Sequence, residues 1–461
     1  MTGLLFLVIR MTSGWGVSVL VDELCQRLRR LGVSCSVGCL ESDGSFDSVP
    51  VHVISPTVES VRLLAQETGS HCLVAQTSPF YEFAAELSDS FHCIAWENGE
   101  PTPEFFDDCA GRHARAEYKR TIYPRFHDVV ALSEFIRYDI EFPDAQVIYA
   151  GCDHAPDLGA KSLSSFLDNA DKPLKVGTLM RLGAGEAKYK GNAQFLDFIE
   201  QLRWRNISIS PFVAGKADEY NTDEISKTGV CVLRNLSDDE KWRYLRDLDI
   251  FVSFSMWEGF NLPLVESQAL GTVGFGFDVG AHPETALFVF TGRDSLVQLI
   301  GRYSSDRALL WEHSHKSYQF VRSRFLWETA AARLLELIAR RGVFTGVGDG
   351  MHRPDEQLEA ECLRLKNEIA DLNAQLIQAR GKPDCRDTRA GETDRPPALW
   401  KKASPARQLP QNDLPNRYLS AALADLTYQV EDLKSSLSWR LTAPLRYVGR
   451  IALTLTKKHP H

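Results

Sequence analysis

The strongest constraint on this chain is a rhythm. Leu4–Ile9, Cys35–Cys39, Val51–Ile54, Cys72–Ala75, His92–Ala95, Val129–Leu132 and Gln146–Tyr149 read as short buried strands, and helical periodicity fills most of the gaps. Apolar strands that alternate with helices predict a parallel sheet covered on both faces. A polar stretch from Pro156 to Pro173 reads as an interdomain linker. The rhythm then restarts with Lys175–Leu179, Ile207–Val213, Val230–Leu233, Ile250–Phe254, Val273–Phe277 and Leu287–Phe290. Two doubly wound α/β domains follow, 1–155 and 156–345. A chain of 461 residues is too long for one core, which agrees.

Such sheets take ligands at the carboxyl ends of their strands, so the loops there carry the functional signal. After the first strand comes Arg10-Met-Thr-Ser-Gly-Trp-Gly16, where Gly14 and Gly16 either make a plain turn or let the backbone approach an anion at the next helix. The GxGxxG dinucleotide fingerprint is absent. Trp96–Pro101 closes another strand, and Glu97 and Asn98 are expected to face ligand. Ser133 is expected to cap the helix that follows Val129–Leu132. In the second domain, Arg181 and Lys190 follow the first strand. A planar fork and a point charge there suit a diphosphate, although Lys188 and Lys190 also read as a solvated pair.

Val252–Glu284 is the richest stretch. Glu258 sits in a Glu-Gly-Phe turn after a strand, and Glu266 lies seven residues further on, in a helix that Pro263 can start. Anion-binding backbone beside two hydroxyl-binding carboxylates points to phosphate and polyol together, as in a nucleotide sugar. Asp247-Leu-Asp249 spells a metal signature. It directly precedes a strand, and Asp249 reads better as a turn residue. Arg181 and Lys190 can neutralise a diphosphate, so neither metal nor cofactor is expected.

Glu258–Gly271, EGFNLPLVESQALG, resembles the Glu-x7-Glu block of the retaining GT4 glycosyltransferases, which have the GT-B fold. Arg181 with Lys190-Gly191, the Gly14/Gly16 loop, residues 131–140, Phe212–Lys216, Asn235–Asp249 and Gly280–Glu284 are similar to other parts of that family. The likeness spans residues 1–340, and Trp311–Arg341 resembles the closing helices that cross back to the first domain. The resemblance implies a sugar nucleotide donor held by Gly14, Gly16, Arg181, Lys190, Glu258, Gly259, Phe260, Asn261, Leu262 and Glu266. Arg181, Lys190 and Glu258 would be catalytic, and Glu266 would take ribose hydroxyls. Front-face attack would give retention. Asn261 stands where the family pattern has a small residue, and Glu97-Asn98-Gly99 stands where many relatives have a histidine.

The remainder carries other signals. Leu358 to Ala379 follows a heptad seam within 356–380, 381–416 reads as a disordered linker, and a second seam runs from Leu419 to Leu437 within 417–461. These predict self-association or a hairpin. Ser438–His461 is basic and amphipathic against a chain of net charge −9, and is expected to bind the inner face of a membrane. It is similar to tails of bacterial polysaccharide-assembly transferases. No span crosses a membrane by sequence, the acidic balance excludes nucleic acid, and ten scattered cysteines fit a reducing cytoplasm. The expected function is sugar transfer to a lipid-linked or growing cell-surface glycan. The alternatives are a membrane-associated non-catalytic scaffold and a nucleotide-sugar epimerase.

Overall fold

Seven parallel strands build the first sheet: β1 (Gly3–Met11), β2 (Ser34–Ser42), β3 (Val51–Val53), β4 (Ser70–Ala75), β5 (His92–Glu97), β6 (Asp128–Ala131) and β7 (Gln146–Val147). Their order is β3-β2-β1-β4-β5-β6-β7. Leu4 to Val8 are all buried, because helices cover both faces of the strand. A second parallel sheet contains β8 (Leu174–Leu179), β9 (Ile209–Gly215), β10 (Cys231–Arg234), β11 (Ile250–Ser253), β12 (Val273–Phe277) and β13 (Phe288–Phe290), in the order β10-β9-β8-β11-β12-β13. Every predicted strand is present, with ends moved by at most three residues.

The computed structural model describes residues 3–182, 188–216 and 223–340. The expected heptad helices, linker and basic tail lie outside the described residues. All described residues fall in one compact unit, Met1–Val347. No helix among them is long and apolar enough to cross a membrane.

Strand order reverses direction between β1 and β4 in the first sheet and between β8 and β11 in the second. Chains leaving adjacent strands there turn to opposite faces and open a crevice at the carboxyl edge. The glycine loop follows β1, Arg181 follows β8, and the Glu258 turn follows β11.

The closing helix Trp327–Arg340 packs on Gly16–Arg30 of the first domain, as the resemblance implied. Its buried face runs through Trp327, Ala331, Leu334 and Ile338, a helical i, i+4, i+7, i+11 stripe. Arg27 clamps the contact by pairing with Glu328 at 2.8 Å and Asp153 at 3.4 Å. The stretch expected to be a linker is instead packed. It holds the helix Leu163–Leu167, buries Phe166, and sends Lys161 to the Leu248 carbonyl and the Thr272 hydroxyl.

Candidate functional site

The carboxyl edges of the two sheets meet at a cavity of about 640 Å³. Gly14 and Gly16 line it from the first domain. Arg181, Lys190 and the run Glu258–Leu262 line it from the second, together with Glu266. The structure therefore brings every expected donor-side residue to one space, although they are spread over more than 250 positions of the chain.

Lys190 owes its place to Gly191. That glycine has φ +77°, and a Cβ there would lie 2.2 Å from the Phe254 carbonyl oxygen. The tight approach seats the Lys188–Lys190 turn against the end of β11, and the Lys190 ammonium meets Glu258 Oε1 at 2.9 Å. Burial pushes the Lys190 amine down, but the Glu258 carboxylate outweighs it and the net direction is up. Burial likewise pushes the Glu258 carboxyl up, and Lys190 reverses this. Both stay charged at neutral pH. Lys190 thus lines the cavity as a charged group; the Lys188 side chain lies outside the described residues.

Asn261 explains its own departure from the family pattern. It takes φ +61° as N-cap of the helix Leu262–Ala269, a left-handed conformation that asparagine tolerates better than other side chains. Its Oδ1 accepts from the Leu264 amide at 3.3 Å, and its Nδ2 reaches Ser253 Oγ at 2.9 Å and His282 Nε2 at 2.8 Å. Pro263 is the second residue of this helix.

Glu266 sits on the same helix and is 2% exposed. Its Oε1 meets His154 Nε2 at 2.8 Å and Lys241 Nζ at 3.2 Å. The Trp327 indole N–H donates to His154 Nδ1 at 2.9 Å, so the imidazole proton lies on Nε2 and points to the carboxylate. No donor among the described residues reaches Oε2. Burial raises the Glu266 carboxyl, but Lys241 and then His154 outweigh it and hold it at about 2. A folded-state value below the ordinary 4.5 stabilises above that pH and is lost as pH falls from 4.5 towards 2. Acid unfolding should accordingly show about 3 kcal/mol less stability across that window, and Glu266→Gln should remove the corresponding part of the slope. Equal slopes in urea titrations at stepped pH would refute the assignment.

Arg181 stacks on Trp15 of the glycine loop, 3.9 Å from the ring centroid, and Lys216 donates to the Ser13 carbonyl at 3.2 Å. Both contacts join the domains across the cavity. Glu284 makes a third. It accepts from the Glu134 and Phe135 amides at 2.9 and 2.8 Å and from the Tyr149 hydroxyl at 2.8 Å. It thus places a carboxylate at the start of a first-domain helix that Ser133 caps as expected, its Oγ accepting from the Ile136 amide at 3.1 Å.

Glu97 is not where the sequence reading put it. It is the last residue of β5 and turns inward, 1% exposed, to Lys119 at 3.0 Å and the Tyr123 hydroxyl at 2.8 Å. It does not line the cavity. Asn98, the next residue, does. Gly259 comes so close to the Asn98 carbonyl oxygen that a Cβ would sit 2.4 Å away, which is why the turn after Glu258 needs glycine. Asp247 pairs with Lys175 at 2.6 Å, and Asp249 accepts from the Lys175 amide at 2.9 Å, both at the amino edge of β11. They lie at the opposite end of the strand from the cavity, so Asp249 is a turn residue as expected.

Residues 176–303 match the family of glycosyl transferases group 1. Solved structures agree on the fold. HepE of Anabaena, solved with UDP-glucose, is 18% identical, with TM-score 0.60 over 74% of this chain and all of that one. Sucrose-phosphate synthase of Thermosynechococcus elongatus is 14% identical, with TM-score 0.61 over 74% of this chain and 99% of that one. WaaG, a glycosyltransferase involved in lipopolysaccharide biosynthesis, is 10% identical, with TM-score 0.54 over 72% and 99%. No curated protein matches the sequence. Two Rossmann-like domains facing one cavity are the GT-B fold, and the second domain, which holds the matched segment, supplies Arg181, Lys190, Glu258 and Glu266 to the cavity.

Proposed function

We propose that the chain transfers a sugar, with retention, from a nucleotide-sugar donor to a lipid-linked or growing cell-surface glycan. One observation carries the reading. Two carboxylates at Glu-x7-Glu spacing and two cations converge at the carboxyl edge of one sheet, where a nucleotide diphosphate fits. Arg181 and Lys190 bind the diphosphate and take up the charge that develops as it leaves. Glu266, held ionised by Lys241 and His154, accepts from the ribose hydroxyls through Oε2. Glu258 holds Lys190 in place and meets the donor sugar. The leaving phosphate then takes the acceptor proton on the face from which it departs. The cations are sufficient counter-charge, so the reaction runs without a metal. HepE, solved with UDP-glucose, supports the donor class, and WaaG supports the glycan context.

The same reading gives Ser438–His461 the task of holding the protein on the inner face of an anionic membrane, and the heptad stretches the task of self-association. A panel of UDP-, GDP- and dTDP-sugars incubated with lipid-linked acceptors in excess EDTA tests the scheme. Expected are transfer undiminished by EDTA, a product with the donor's anomeric configuration by NMR, and loss of liposome binding when Ser438–His461 is deleted. An inverted anomeric centre overturns retention. Epimerised donor without an acceptor would make the protein an epimerase, and no turnover of any donor would leave a scaffold.

A further inference from the structure

The donor reading accounts for the second-domain wall of the cavity and the Gly14/Gly16 loop, and leaves the rest of the first-domain wall without a task. Four cations on the wall have partners in the site: Lys190 on Glu258, Lys241 on Glu266, Lys216 on the Ser13 carbonyl and Arg181 on Trp15. Arg112 differs. It projects from the helix Cys109–Ile122, and its guanidinium carbon lies over Phe106, 3.4 Å from the ring centroid. It makes no ion pair among the described residues, and its buried Nε–H has no acceptor there. Asp108, four residues before it, is engaged with Arg115 at 3.5 Å and the Gly111 amide, and Glu104 with His113 at 2.9 Å.

Asn98 stands on the same wall. Its Nδ2 is spent on Gln76, at 2.9 Å from Oε1, while its Oδ1 is buried with no donor. A buried acceptor without a donor is costly unless a ligand or water supplies one. Phe106, beneath the Arg112 guanidinium, and Trp257 also line the cavity and keep that wall apolar beside the cation.

Resting on the donor reading, we infer that Arg112 and Asn98 form an acceptor subsite for a sugar that carries an anionic group. A guanidinium fixed on an aromatic ring presents its remaining N–H groups as a planar fork, and carboxylate and phosphate oxygens match that geometry. A neighbouring hydroxyl donates to Asn98 Oδ1. The acceptor class is therefore an acidic glycan or a glycosyl phosphate, whose shared chemistry is a planar or tetrahedral oxyanion beside hydroxyls.

The test is calorimetric titration of the full chain with phenyl β-D-glucoside, phenyl β-D-glucuronide and phenyl β-D-glucoside 6-phosphate. Each is titrated with and without a saturating nucleoside diphosphate. At least one charged probe should bind roughly tenfold or more tightly than the neutral one, and the better of the two distinguishes carboxylate from phosphate. Arg112→Gln should abolish that preference while nucleotide affinity stays within about twofold, which also shows that the variant is folded. Equal affinity for neutral and charged probes overturns the proposal. So does loss of the preference under saturating nucleotide, which would place the charged probe on the Arg181–Lys190 side, or a nucleotide affinity that falls with Arg112. A chain that prefers the charged probes but binds no nucleotide keeps the subsite and loses the donor reading.

Discussion

Glu266→Ala is expected to weaken binding of the nucleotide donor by roughly 100- to 10,000-fold and to abolish transfer at ordinary donor concentrations. The carboxylate is ionised deep in the fold, with Lys241 and His154 on one oxygen and no described partner on the other. In the proposed donor complex, removing it would delete two charge-assisted hydrogen bonds to a vicinal diol, each worth about 1.5–3 kcal/mol. It also leaves the His154 Nε2–H without an acceptor, so the variant should lose about 1–3 kcal/mol of stability. Glu266→Gln separates the two losses. Its side chain can still accept from one neighbour, which spares part of the stability, but it lacks the charge that strengthens the bonds to ribose. Equal donor affinity in Glu266→Gln and wild type would exclude a charged ribose contact.

Arg181→Ala and Lys190→Ala should both impair transfer but differ in what they cost the fold. Both remove a cation from the diphosphate, so both should lower turnover by about 100- to 1,000-fold. Their structural costs differ. Arg181 is only half-buried and stacks on Trp15, so its removal should shift stability by about 0.5–1 kcal/mol. Lys190 is the counter-charge of a Glu258 that is 7% exposed, and its removal strands that carboxylate. Breaking a buried pair from one side costs about 3–5 kcal/mol. Lys190→Ala should therefore be both inactive and much less stable, and adding Glu258→Gln should restore stability without restoring turnover. Urea melts of the two single variants and the double variant, set beside product formation, check this. A double variant as unstable as Lys190→Ala would show that the pair is not what holds the turn.

The strands and the carboxylate spacing were legible in the sequence because both are local. A buried parallel strand is an unbroken apolar run, and Glu258 and Glu266 share a turn and the helix it opens. Asp249 was legible for the same reason, as a polar residue at a strand start. What failed was facing. Glu97 and Asn98 are consecutive, and the sequence gives no sign that Glu97 turns inward, because Lys119 and Tyr123 lie 22 and 26 residues away. Asn98, the other half of that expectation, does reach the cavity. The residues that set the state of Glu266 could not be found at all. His154 follows β7, Lys241 is on the helix Asp238–Asp247, and Trp327 opens the last helix, so only the closed fold gathers them. Asn261 carried a faint signal, since an unusual residue at a left-handed cap needs partners, but Ser253 and His282 supply those only through tertiary contact.

Binding of a nucleoside diphosphate in the cavity through Arg181, Lys190 and Glu266 should be visible in thermal unfolding with UDP, GDP, dTDP and their glucose conjugates. A ligand at 100 times its Kd adds about 2.7 kcal/mol to stability. One nucleotide family should raise the unfolding temperature of the wild type, and the rise should vanish in Arg181→Ala, which keeps the fold. A wild type indifferent to every nucleotide, or a rise of equal size in Arg181→Ala, would contradict it.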